Sequence, residues 1–70
     1  MPLIQVYMLT GRTGQQKRRL IQELTSVMVD VLGSNPERVN VVVHEVDADN
    51  WGRGGVPLSD EAVDSGRGST

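Results

Sequence analysis

The sequence predicts a small α/β (α+β) fold: a single βαβ unit closed by a C-terminal loop or hairpin. Three observations predict it. Leu3 to Leu9 alternates apolar side chains, about Gly14 to Leu32 carries an apolar stripe at helical spacing, and Val39 to Val46 is rich in β-branched residues. Seventy residues leave room for one domain. We assign it to 1–60, with 61–70 as a polar, flexible tail.

In the first strand, Ile4, Val6 and Met8 share one face, and Leu3, Gln5, Tyr7 and Leu9 share the other. Thr10-Gly11-Arg12-Thr13-Gly14 breaks this pattern, and Thr13 followed by Gln16 has the spacing of a capping box. Leu20, Ile21, Leu24, Val27, Met28, Val31 and Leu32 then fall at helical intervals, with Gly33 placed to end the helix. After the turn Ser34-Asn35-Pro36, Val39, Val41 and Val43 share one strand face, and Asn40, Val42 and His44 the other. A strand, a helix and a strand make a crossover unit, so the strands should be parallel and the crossover right-handed. Asp47 to Gly55 holds one large aromatic and three glycines, which suits a turn, a short hairpin or a lid.

Composition sets the stability problem. The aromatic fraction is 3%, Phe and Cys are absent, and there is one His, His44. Disulfide staples and thiolate zinc sites are therefore excluded, and a lone His has no metal logic. A domain of this size gains roughly 3 to 5 kcal/mol from its own core, so self-association is the expected further source of stability. Two strands also leave open edges and an uncovered sheet face for other subunits to cover. Seven Lys and Arg against nine Asp and Glu, a net charge of -2, argue against nucleic acid as a partner. The apolar runs are too short to span a bilayer or to serve as a signal peptide, so the expected location is cytoplasmic.

The residues with chemical potential are few. Pro2 follows Met1, and removal of that methionine leaves a secondary amine at the start of the first strand. An α-amino group ordinarily titrates at about 7.7 to 8.0, and apolar burial or nearby cations would lower that value towards a general base working near neutrality. A penultimate proline is also common in proteins without any chemistry. Arg12, just before the helix, could hold a carboxylate bidentately or simply be solvated. Lys17, Arg18 and Arg19 read as the solvent face of the helix. Trp51 could anchor a core, meet a subunit or close a pocket, and Arg53 beside it could face solvent or supply a second anion contact. His44 reads as a strand residue at a subunit contact. Glu45, Asp47 and Asp49 could serve acid-base chemistry, but their spacing selects none of them. Phosphate-loop and nucleophile-elbow motifs are absent.

Taken in order, Met-Pro and an apolar strand, Leu-Thr-Gly-Arg-Thr, Gln-Gln-Lys, a helix, a valine-rich strand and an aromatic-Gly-x-Gly-Gly loop resemble the 4-oxalocrotonate tautomerase family. The resemblance runs from about Pro2 to Leu58. It implies βαβ subunits that pair into four-stranded sheets and assemble as a trimer of dimers, usually a homohexamer, with no cofactor and no metal. It makes Pro2 the catalytic acid-base group, and Arg12 the arginine lent by a neighbouring subunit to the substrate's carboxylate and carbonyl region. Leu9 and Trp51 match apolar and pocket-closing positions. The family's second substrate-binding arginine falls on Asn40, a departure that removes one cation and favours a monocarboxylate or aryl 2-oxo acid over a dicarboxylate. Arg53 is a candidate to restore that charge. The resulting expectation is a cofactor-independent isomerase that converts enol or dienol forms of 2-oxo acids. The alternatives are a hydratase or dehalogenase of the same superfamily, or a non-catalytic partner subunit of a mixed oligomer.

Overall fold

The computed structural model describes residues 2–60. The strand β1 (Leu3–Leu9) leads into the helix α1 (Gly14–Leu32), a 3₁₀ turn (Pro36–Arg38) and the strand β2 (Asn40–Val46). A second 3₁₀ turn (Ala48–Asn50) is followed by a small hairpin of β3 (Gly52–Arg53) and β4 (Val56–Pro57). β1 and β2 pair in parallel, from Leu3 opposite Asn40 to Leu9 opposite Val46, as a crossover connection requires.

The helix forms where its ends are satisfied as well as where its stripe lies. Thr13 Oγ1 accepts the Gln16 N–H at 3.0 Å, and Gln16 Oε1 accepts the Thr13 N–H at 2.9 Å, so two otherwise unpaired donors are met reciprocally. At the other end Gly33 adopts φ 67° and donates its N–H to the Val29 carbonyl at 2.9 Å. A side chain would be strained in that left-handed conformation. Asn35 ends the link that follows: its Oδ1 accepts the Glu37 N–H at 3.0 Å, and Pro36 opens the 3₁₀ turn. That turn takes Val39 as its C-cap, so β2 begins at Asn40, one residue later than the β-branched run suggests.

The sheet has two unlike faces. In parallel pairing, opposed residues share a face, so Ile4, Val6 and Met8 lie with Val41, Val43 and Glu45, and half-buried Leu20, Leu24 and Met28 supply the helix stripe. The other face holds Leu3, Gln5, Tyr7 and Leu9 beside Asn40, Val42, His44 and Val46. Leu3 and Tyr7 are 55% and 59% exposed there. Among the described residues no apolar side chain is fully buried, even under the helix. One chain therefore gains only part of the roughly 1.5 to 3 kcal/mol that a fully buried Leu, Ile or Val contributes.

Lys17 departs from the solvent-face expectation. Its Nζ lies 2.9 Å from Glu45 Oε1 and both side chains are about one-third exposed, so the pair ties the first turns of α1 to β2. Its neighbours Arg18 and Arg19 are exposed as expected, with Arg19 reaching Glu23 one turn on at 3.7 Å. The 47–55 segment resolves into the 3₁₀ turn and the hairpin, whose Gly54 and Gly55 have φ 63° and 86°. Two consecutive positive φ angles between paired strands are the geometry of a type I′ turn, which matches the right-handed twist of the strands it joins. The tail at 61–70 lies outside the described residues.

Candidate active site

The register sorts the candidate residues into two groups. At the N-terminal edge of the sheet, the Pro2 carbonyl accepts the Asn40 N–H at 2.9 Å, so the start of the chain is held against the start of β2. Pro2 is half-buried and Asn40 exposed. The Asn40 side chain turns back on its own strand, where Nδ2 donates to the Arg38 carbonyl at 3.4 Å.

The second group stands at the other end. Leu9 closes β1 opposite Val46, and the ladder runs one step further through the Thr10 N–H to the Val46 carbonyl at 3.1 Å. Gly11, with φ 123°, turns the chain, and Arg12 follows it, exposed and one position before the N-cap Thr13. β2 also ends here, and five residues later comes Trp51, half-buried. The Trp51 backbone is fixed on both sides: its N–H donates to the Ala48 carbonyl at 3.4 Å and its carbonyl accepts the Leu58 N–H at 2.8 Å. Arg53 lies in β3, next to the two-glycine turn.

Pro2 and Arg12 are therefore brought to opposite ends of a seven-residue strand, a span of about 20 Å at the usual rise per residue. Arginine is long, but no single side chain closes that gap. The fold unites Pro2 with Asn40, and Leu9 with the segment carrying Arg12. It does not bring the two groups together within one chain.

A polar cluster that the sequence does not announce sits on the open face. The Tyr7 and His44 rings stack with centroids 4.2 Å apart and planes 9° apart, and His44 Nε2 lies 3.1 Å from Gln5 Oε1. The Tyr7 hydroxyl donates to the same oxygen at 3.5 Å. Only the parallel register, which sets Tyr7 opposite His44, makes this cluster visible. Glu45, one of the free carboxylate candidates, is engaged by Lys17. Among the described residues no group of three or more His, Asp or Glu is arranged to hold a metal ion, and no helix is long and apolar enough to cross a membrane.

Comparison with known proteins agrees with this architecture. The family model described as tautomerase enzyme matches residues 2–61. The 2-hydroxymuconate tautomerase of Comamonas testosteroni is 41% identical over 56 residues, covering 80% of this chain and 89% of that protein. Among solved structures, TomN, a 4-oxalocrotonate tautomerase homologue of the tomaymycin biosynthetic pathway, superposes with a TM-score of 0.86 at 34% identity, covering 89% of this chain and 95% of that one. A heterohexamer 4-oxalocrotonate tautomerase from Chloroflexus aurantiacus J-10-fl gives a TM-score of 0.80 at 27% identity, covering 86% and 97%. A βαβ chain with proline ahead of its first strand, matched over nearly its whole length by these enzymes, belongs to the tautomerase family and is an isomerase of the 4-oxalocrotonate tautomerase type.

Proposed function

We propose that the protein interconverts enol and keto forms of 2-oxo acids, with the Pro2 nitrogen as the proton carrier once Met1 is removed. The observation that supports this reading is the tie between the Pro2 carbonyl and the Asn40 N–H. It holds the first residue of the processed chain at a fixed point on the sheet edge, whereas a terminus is ordinarily loose. A neutral secondary amine there accepts the enol hydroxyl proton and returns a proton to carbon. Arg12 stabilises the negative charge that grows on the substrate's oxygen side.

The 20 Å scale of β1 makes this a shared site. Arg12 has to come from a neighbouring copy, together with Leu9 and the Trp51 hairpin, which exclude water and strengthen the electrostatics. The exposed face around Leu3, Tyr7 and Val42 and the absence of a fully buried apolar side chain among the described residues favour assembly, for which we infer a homohexamer built as a trimer of dimers. Substrate binding is assigned to Leu9, Asn40, Trp51 and Arg53 beside the catalytic Pro2 and Arg12, without metal or organic cofactor.

The decisive experiment combines intact-mass measurement with a tautomerase assay on 2-hydroxymuconate and phenylenolpyruvate. Loss of one methionine, with activity that disappears in Pro2→Ala, is the expected outcome. A retained methionine in active protein overturns the role of Pro2. A second reading has a specific motive, since one relative is described as a heterohexamer: the chain would lend Arg12 to a sibling's site. Inactivity when expressed alone and recovery upon co-expression with a sibling chain would favour it.

A further inference from the structure

The sheet edge that holds Pro2 has its own cation. Of the seven Lys and Arg residues in the chain, Arg12, Lys17, Arg18 and Arg19 lie at the other end, around the start of α1, and Arg53 lies in the hairpin beyond β2. Among the described residues, Arg38 alone stands at the Pro2 end, as the last residue of the 3₁₀ turn that enters β2. The parallel pairing fixes its end of the sheet. Leu3 is opposite Asn40 and the Asn40 N–H donates to the Pro2 carbonyl, so Pro2, just ahead of β1, and Arg38, two residues ahead of β2, lie at the same end of the strand pair. Adjacent strands are only about 4.8 Å apart.

The backbone at Arg38 is held at both its N–H and its carbonyl. Its N–H donates to the Asn35 carbonyl at 2.8 Å, its carbonyl accepts Asn40 Nδ2 at 3.4 Å, and Asn35 in turn caps Glu37. The guanidinium itself is exposed and has no salt-bridge partner among the described residues. Glu37, its neighbour in the turn, and Asp30, near the end of α1, do not pair with it. A cation held on a hydrogen-bonded turn at the Pro2 end of the sheet, without a salt-bridge partner among the described residues, is placed to receive an anion.

We propose that Arg38 binds a second carboxylate of the substrate, the one remote from the group held by Arg12, and so extends the enzyme's range from monocarboxylate to dicarboxylate enols. This rests on the proposed Pro2 chemistry. It also gives Asn40 a further part, because the asparagine steadies the turn that presents Arg38. On this basis the charge missing at Asn40 is restored from two residues upstream, in the same chain as Pro2.

The test is steady-state kinetics of purified wild type, Arg38→Ala, Arg38→Lys and Pro2→Ala on 2-hydroxymuconate, which has two carboxylates, and phenylenolpyruvate, which has one. Arg38→Ala should raise KM for 2-hydroxymuconate about tenfold or more, the size of one lost charge-assisted hydrogen bond, while KM for phenylenolpyruvate changes little. Arg38→Lys should recover part of the loss. If Pro2→Ala is inactive but Arg38→Ala keeps the wild-type KM for 2-hydroxymuconate, the inference is overturned and the Pro2 chemistry stands. An equal KM increase for both substrates also overturns it, since a structural defect would not discriminate between them. Wild-type turnover by Pro2→Ala overturns both readings.

Discussion

At one end of the β1–β2 pair the Pro2 backbone is pinned to Asn40 and the cation at hand is Arg38; at the other end Arg12 stands just before the helix start, two residues after Thr10, whose N–H reaches the last carbonyl of β2. On the proposed reading the first end holds the proton carrier, and the second holds the charge of Arg12 and the apolar side chains of Leu9 and Trp51. If both ends serve one site, as proposed, strand length separates its parts within a chain, and a neighbouring copy has to supply the missing half.

The sharpest break of this comparison is Pro2→Ala. It should lower kcat by about two to four orders of magnitude while leaving the oligomer intact by analytical ultracentrifugation, since it removes the proposed proton carrier and keeps the backbone carbonyl that pairs with Asn40. Arg12→Ala should cost about two to three orders in kcat/KM, measured on the same enols. Mixing the two inactive variants under conditions that exchange subunits should restore partial activity, because some sites then combine an intact Pro2 with an intact Arg12. No recovery in verified mixed oligomers would mean that each site belongs to one chain. Rate against pH should fall on the acidic side, because a protonated amine cannot accept the enol proton and the neutral form is lost as pH drops below the pKa of Pro2.

Smaller effects test the scaffold. Tyr7→Asp puts a charge on the open face and should shift the sedimentation profile towards smaller species, with activity lost in parallel. Gln16→Ala deletes half of the capping box and should lower stability by about 1 kcal/mol in chemical denaturation. Lys17→Met should cost less than about 1 kcal/mol, since the Glu45 pair is partly solvated.

Much of the fold was legible in the residues. The Thr13–Gln16 spacing, the apolar stripe and Gly33 fix both ends of α1 through local hydrogen bonds and backbone conformation, which depend on neighbours in sequence. The same holds for β1. Lys17 was not legible as a partner of Glu45, because that contact joins residues 28 positions apart and follows from how α1 lies on β2. The glycine loop was readable as a turn, yet its type I′ hairpin depends on φ angles that many Gly-rich sequences could avoid. In the candidate site, Pro2 and Arg12 stood out through their places in a recognisable order of elements. Arg38 did not, since nothing marks an arginine after Pro-Glu until the parallel pairing brings the entry to β2 to the same end of the sheet as Pro2.

The sequence by itself determined the three main elements, the ends of the helix and the need for more cover than one chain supplies, because propensity, capping and composition act over a few residues or over the whole chain at once. The tertiary structure decided which residues become neighbours. Parallel pairing set Pro2 against Asn40 and sent Arg12 to the far end, since register is a property of two distant segments fitting a common face, and no local stretch of sequence contains it.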